Sequence, residues 1–104
     1  MSRRLYELAY GRSGDKGNIA NISVIARNSS AYAEIKAKLT AERVKAHLGE
    51  LVQGAVVRYE LDNIEALNFV CYQALDGGAT RSLRIDQLGK SLAGAVLYME
   101  WDSD

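Results

Sequence analysis

Two stretches with apolar residues at alternate positions flank an eight-residue run, GRSGDKGN (residues 11–18), that contains three glycines. Alternation at period two is the signature of a half-buried strand, and three glycines in eight residues interrupt it. In residues 4–10, Tyr6, Leu8 and Tyr10 fall on one face. In residues 19–27, Ala20, Ile22, Val24 and Ala26 alternate with Asn21, Ser23 and Arg27. The opening of the chain is therefore predicted to be two strands joined by a long polar loop.

Asn28, Ser29 and Ser30 supply cap chemistry for a helix that carries Tyr32, Ile35 and Leu39. Thr40 can cap a further turn or two, with Glu42 near the positive end, Val44 and Leu48 facing inward, and Gly49 as a stop. A strand over residues 55–61 sets Val57, Tyr59 and Leu61 against Arg58 and Glu60. Asp62 and Glu65 have capping-box spacing, and Ile64, Leu67, Val70, Cys71, Ala74 and Leu75 form a wide apolar stripe, which predicts a buried helix ended by Gly77 and Gly78. Residues 80–86 and 91–101 read as closing strands with a turn over residues 87–90; Ala93, Ala95, Leu97, Met99 and Trp101 share a face. The fold class expected is α+β: an α/β sandwich of ferredoxin-like character. It has one mostly antiparallel sheet of about five strands, two to three helices on one face, and a first strand extra to the plait.

At 104 residues the sequence suits a single domain spanning residues 1–104. Thirteen basic and thirteen acidic residues cancel, which removes the usual electrostatic attraction to nucleic acid or anionic membrane. Neither a bilayer-spanning apolar run nor a signal-peptide pattern is present, and the single cysteine, Cys71, suits a reducing compartment. The expected location is the cytoplasm. With one histidine, His47, the chain has no His/Cys set for zinc, and neither metal nor cofactor is expected.

The run at residues 11–18 is the most informative segment for chemistry. Gly11, Gly14 and Gly17 let backbone N–H groups turn toward a ligand; Arg12 and Lys16 bring positive charge, Asp15 a carboxylate, Ser13 and Asn18 short hydrogen-bonding groups. Such a segment can cradle a phosphate or carboxylate, or simply connect two strands with its charges in water. It has neither Walker A nor GxGxxG spacing. The second signal is Arg81, between Thr80 and Ser82, which shares parity with Leu83 and Ile85 and follows a diglycine. An arginine of core-side parity snorkels outward, pairs with a carboxylate such as Asp15, or meets an anionic ligand. Asn68 falls in the apolar stripe and must find partners there; tying a helix to a neighbouring loop is the simpler role. His47 reads as a helix-end cap and Cys71 as an inert core thiol. Tyr6, Tyr10, Tyr59 and Tyr98 are expected in core or interface packing; the basic-Gly-aromatic signature of RNA-recognition modules is missing.

LYELAYGRSGDKGNIANISVIAR, the later TAERVKAHLG, and ALNFV followed by GGATRSLRID together resemble the C-terminal ferredoxin-like domain of the acyclic terpene utilisation AtuA family. The resemblance runs nearly the whole chain in collinear order, with GRSGDKGN its most specific block. It implies a domain found either fused behind a much larger N-terminal domain or as a separate short protein, and hence a large AtuA-like partner. It also implies catabolism of branched terpenoid acids carried as CoA thioesters. The matching positions are Gly11, Ser13, Gly14, Asp15, Lys16, Gly17 and Asn18, with Thr80, Arg81 and Ser82 as a second motif.

The first functional expectation is a small accessory subunit that lends residues 11–18 and Arg81 to a composite site for an anionic substrate such as an acyl-CoA. The alternatives are a stand-alone hydratase or lyase using Asp15 and Lys16 as acid and base, and a non-enzymatic assembly module in which tyrosine-bearing strands pair at a sheet edge to give a homo-oligomer.

Overall fold

A computed structural model of the chain describes residues 3–16, 19–74 and 92–102. Four strands form one antiparallel sheet: β1 (Ala9–Lys16), β2 (Ile19–Ala26), β3 (Val56–Leu61) and β4 (Ala66–Tyr72), in the order β1-β2-β4-β3. Two helices, α1 (Ser29–Lys38) and α2 (Ala41–Leu48), connect β2 to β3, and α3 (Leu92–Leu97) packs on β1 and β2. β2 and β3 run parallel with β4 between them, the split βαβ unit of a ferredoxin-like plait. The expected α+β class and helix complement hold, with four described strands rather than about five. β1 is not extra to the plait. It pairs with β2 from Ala9↔Ala26 to Lys16↔Ile19 and occupies the edge that a fourth plait strand requires.

The register of the central pair decides which face is buried. Ala20, Ile22 and Val24 of β2 stand opposite Cys71, Phe69 and Leu67 of β4, and all six are buried. Ile35 and Leu39 at α1, Val44 of α2, Val96 of α3 and Trp101 close over them. Burying a side chain as large as Phe69 contributes about 1.5–3 kcal/mol. The caps read from the sequence form: the Asn28 side chain accepts from the Ala31 N–H at 2.7 Å, and Thr40 Oγ1 from the Arg43 N–H at 3.0 Å. Gly49 ends α2 at φ 56°, which favours glycine.

Four sequence expectations are corrected. Residues 4–10 are a short 3₁₀ turn (Leu5–Glu7) followed by the start of β1, with Leu5 and Ala9 buried and Tyr6 and Tyr10 exposed. Residues 11–16 continue β1 instead of forming a loop, so only residues 17 and 18 lie between the paired Lys16 and Ile19. The helix expected from Asp62 onward is a 3₁₀ turn (Asp62–Ile64) and then β4; Glu65, at φ 55° in the left-handed region, reverses the chain between them. Its apolar stripe satisfies both periods, and the alternation of Leu67, Phe69 and Cys71 prevails because β2 and β3 pair with it on both sides. Within residues 91–101 a helix, α3, replaces the expected strand: Leu92, Ala95, Val96 and Met99 make a buried helical stripe. The strand expected over residues 80–86 lies outside the described residues.

The first and last described residues are tied together. Arg3 donates to Asp102 at 2.7 Å and to Glu34 at 2.7 Å, while Trp101 Nε1 donates to the same Glu34 oxygen at 2.6 Å. Backbone bonds run from the Leu5 N–H to Met99 O (3.0 Å) and from the Trp101 N–H to Arg3 O (2.7 Å). The hydrogen bonds from Arg3 hold the Asp102 carboxyl down at about 2, against an ordinary 3.8. The bond from Trp101, and then Arg3, holds Glu34 below the usual carboxylate range. Both groups bind protons more readily unfolded than folded, so their stabilisation is complete above the unfolded value. It is lost as pH falls through the folded one. The urea midpoint is therefore expected to drop between about pH 4 and 2, and Asp102→Asn to lower the midpoint at neutral pH while flattening that acid limb. Independently, a Cβ on Gly54 would lie 2.6 Å from the Tyr72 carbonyl oxygen, a backbone atom held by the Gly54 N–H at 2.9 Å. Gly54→Ala is expected to cost about 1–3 kcal/mol in urea denaturation through this overlap.

Candidate functional site

β1 divides the glycine-rich run between the two faces of the sheet. Gly11 shares the helix side with Ala9: a Cβ there would come 2.8 Å from Leu97 Cδ1 and 3.3 Å from the Ala93 methyl group. Its role is to let α3 lie close on the strand, so this glycine serves packing and not ligand approach. Gly14 is different. A Cβ there would meet only the Asn21 amide at 4.0 Å, so packing does not require a glycine, and the position is exposed.

The other face of the sheet carries no helix among the described residues. The pairing lines up Arg12, Ser23, Asn68 and Tyr59 across all four strands in one row. Ser23 Oγ donates to Asn68 Oδ1 at 3.0 Å, which leaves the Asn68 amide hydrogens directed away from that bond. Asn68 is thus a sheet-face residue, not a buried helical one. Arg12 is exposed, and no hydrogen bond or ion pair joins its guanidinium to another described residue. The adjacent row is Gly14, Asn21, Val70 and Val57. A strip of neutral donors beside one cation, midway along the β1–β2 pair, can receive an anionic group with hydrogen-bonding oxygens. Ser23 and Asn21 were visible in the sequence only as the polar half of an alternation, and Tyr59 as one tyrosine among several. Strand register is what joins them to Arg12.

Of the other expected residues, Ser13 is exposed on β1, and Asp15 and Lys16 have their backbone in β1 opposite Ala20 and Ile19. Gly17, Asn18, Thr80, Arg81 and Ser82 lie outside the described residues. β4 ends at a defined place: Tyr72 pairs with Ile19, so Ala74 leaves the sheet at the end where Lys16 and Ile19 pair.

Several titratable groups belong to the scaffold. Tyr32 donates to Asp62 at 2.5 Å and Lys36 donates to the same oxygen at 3.0 Å, pinning α1 to the β3–β4 connection. Burial, and then Asp62, pushes the Tyr32 hydroxyl up to about 12. His47 Nε2 lies 2.8 Å from Ala95 O and links α2 to α3, a tie between helices instead of a helix-end cap. Burial raises the Cys71 thiol to about 11, which suppresses the reactive thiolate, as expected of a core cysteine. A surface hollow of about 670 Å³ lies between Lys38, Arg43, His47, Glu100 and Trp101. Its cations are engaged: Arg43 stacks 4.5 Å over the Trp101 ring and donates to the Glu100 and Trp101 carbonyls at 3.1 Å, and Lys38 lies 3.9 Å from the Glu34 carboxylate. Among the described residues no group of His, Cys, Asp and Glu side chains could hold a metal ion, and no helix is long and apolar enough to cross a membrane.

Neither a curated protein nor a solved structure matches the chain. The AtuA ferredoxin-like domain matches residues 3–102. That span takes in every described element, from the 3₁₀ turn before β1 to the Trp101–Asp102 clamp, together with both motifs quoted above. The chain belongs to the AtuA ferredoxin-like domain family.

Proposed function

We propose that this domain is an accessory unit of an AtuA-like system that acts, in the cytoplasm, on branched or terpenoid acids carried as CoA thioesters. A large partner bearing the AtuA N-terminal domain provides the rest of the site. The observation that carries the reading is Arg12: an exposed guanidinium, without a described partner, beside the Ser23–Asn68 pair on an open sheet face. A guanidinium exposed on a strand costs little to keep in water and gains most when a phosphate or carboxylate reaches it with other donors in place. The supporting topology is the exit of β4 beside the β1–β2 turn. An extended chain spans about 3.3–3.6 Å per residue, so Arg81, seven residues beyond Ala74, can reach that end of the sheet. The composite site then takes Arg12 and Gly14 from the open face of β1, Lys16, Gly17 and Asn18 after them, and Thr80, Arg81 and Ser82 from the second motif. Ser13 and Asp15 stand at the alternate β1 positions, opposite the buried Ile22 and Ala20, and are left out of it. An open sheet face, with no helix over it among the described residues, meets a thioester substrate on one side only, which is why the reading assigns the opposite wall to the partner.

Co-expression with a large AtuA N-terminal-domain protein is expected to yield a stable complex that turns over a branched acyl-CoA, with neither component active alone. Arg12→Ala and Arg81→Ala are each expected to lower kcat/KM about tenfold or more while the complex still forms, the loss of one charge-assisted hydrogen bond. Turnover by the isolated domain would overturn the accessory role, and full activity in both variants would remove the anion site.

A further inference from the structure

The two edges of the sheet are unlike. β1 is interrupted by Gly11 and Gly14 and carries Arg12 and Lys16, the composition that discourages edge-to-edge pairing. β3, Val-Val-Arg-Tyr-Glu-Leu, has neither glycine, proline nor lysine, and its outward side chains are apolar and exposed: Val57 at 36%, Tyr59 at 50% and Leu61 at 37%. The Tyr72 N–H donates to Ala55 O at 2.9 Å, so the backbone groups of Ala55 face β4. By alternation those of Val57, Tyr59 and Leu61 also face β4, and those of Val56, Arg58 and Glu60 face the free edge. Among the described residues nothing pairs with them.

We infer that β3 is a dimerisation edge, at which two copies of this chain pair antiparallel about a twofold axis through Tyr59. The register follows from charge. Opposed residues in an antiparallel pair share a face, so a twofold β3–β3 ladder must centre on a residue. Centring on Arg58 sets guanidinium against guanidinium, and centring on Glu60 sets carboxylate against carboxylate. Centring on Tyr59 opposes each Arg58 to Glu60 of the second copy, each Val57 to Leu61, and Tyr59 to itself. Every pair is then complementary. The backbone agrees, because Arg58 and Glu60 become the hydrogen-bonded pair and Tyr59 the closely spaced, non-hydrogen-bonded one.

The charged side chains are ordered before pairing. Arg58 donates to the Lys36 and Leu39 carbonyls at 2.8 and 3.0 Å and to Glu60 at 2.7 Å, so less rotamer freedom is lost on association. The result is one sheet continuous through both copies, with the exposed Val57, Tyr59 and Leu61 side chains covering one another on the helix-free face.

Dimerisation through β3 stands apart from the accessory role, which is carried by Arg12 of β1 and the Ser23–Asn68 pair and not by Tyr59, and its test needs no partner protein. A single strand seam is a small interface, below the ~1,200 Å² of stable complexes, so the full chain is measured at high concentration, about 100 µM. Light scattering is expected to give twice the 11.4 kDa chain mass. Glu60→Pro removes an N–H that faces the free edge and leaves the β3–β4 bonds intact; it is expected to return the mass to 11.4 kDa with unchanged circular dichroism. Tyr59→Cys is expected to form a covalent dimer under mild oxidation, since the two closely spaced residues meet on the axis and Cys71 is buried. A monomeric parent chain overturns the inference. So does a dimer that Tyr59→Cys fails to cross-link, which would move the contact to another surface. Should Glu60→Pro fail to fold, the cross-link decides alone.

Discussion

The pairing of β2 with β4 is the constraint on which the other features rest. It sets Ala20, Ile22 and Val24 beside Cys71, Phe69 and Leu67; a slip of β2 by one residue would bring Asn21 and Ser23 into the core, and a slip of β4 would bring in Asn68. Either slip would set Ser23 and Asn68 on opposite faces and break their bond, so the shifted sheet would bury unpaired polar groups. The register that excludes this outcome also produces the polar row on the open face. The candidate site is therefore a by-product of the same alternation that builds the core, with Arg12 added by the edge strand.

The helical face depends on one close approach. α3 is short, and its small residues Ala93, Gly94 and Ala95 let it sit low on the sheet. Gly11 completes the fit, since a side chain there would meet Leu97 and Ala93. The Arg3–Asp102–Glu34–Trp101 cluster then fastens the chain beyond α3 to α1 and to the N-terminal segment. Neighbours distant in sequence thus hold an element with too few residues to be stable alone.

Local signals made part of this legible from the residues. α1 and α2 have cap side chains and glycine or spacing stops, and β2 and β3 have clean alternation, so their positions follow from chemistry within each segment. β4 and α3 were misread for one shared reason. A short run such as Ala-Leu-Asn-Phe-Val-Cys-Tyr or Leu-Ala-Gly-Ala-Val-Leu satisfies more than one period, and only the neighbouring strands or the helix-accepting glycine on β1 decide between them. β1 was hidden by its glycines, which signal a loop locally and a packing site globally. In the same way Arg12 was recognisable as a candidate anion ligand, whereas its row-mates Ser23, Asn68 and Tyr59 required the register. The second motif, Thr80 to Ser82, is legible as sequence and lies outside the described residues.

The strand order keeps the two proposed surfaces apart. β1 and β3 lie at opposite edges, separated by β2 and β4. A contact at one edge leaves the other free. In a twofold pair joined through β3, both β1 hairpins lie at the outer ends of the extended sheet, each with its own Arg12 and Ser23–Asn68 pair exposed, while Tyr59, the far end of that row, lies at the seam. Two large partners could then bind one domain dimer without sharing a site, and the partner would meet a strand whose glycines and charges resist pairing with a second copy. The compositional difference between the edges is what both proposals rest on: the charges of β3 pair with a second copy of themselves about Tyr59, and β1 carries glycines and cations that do not.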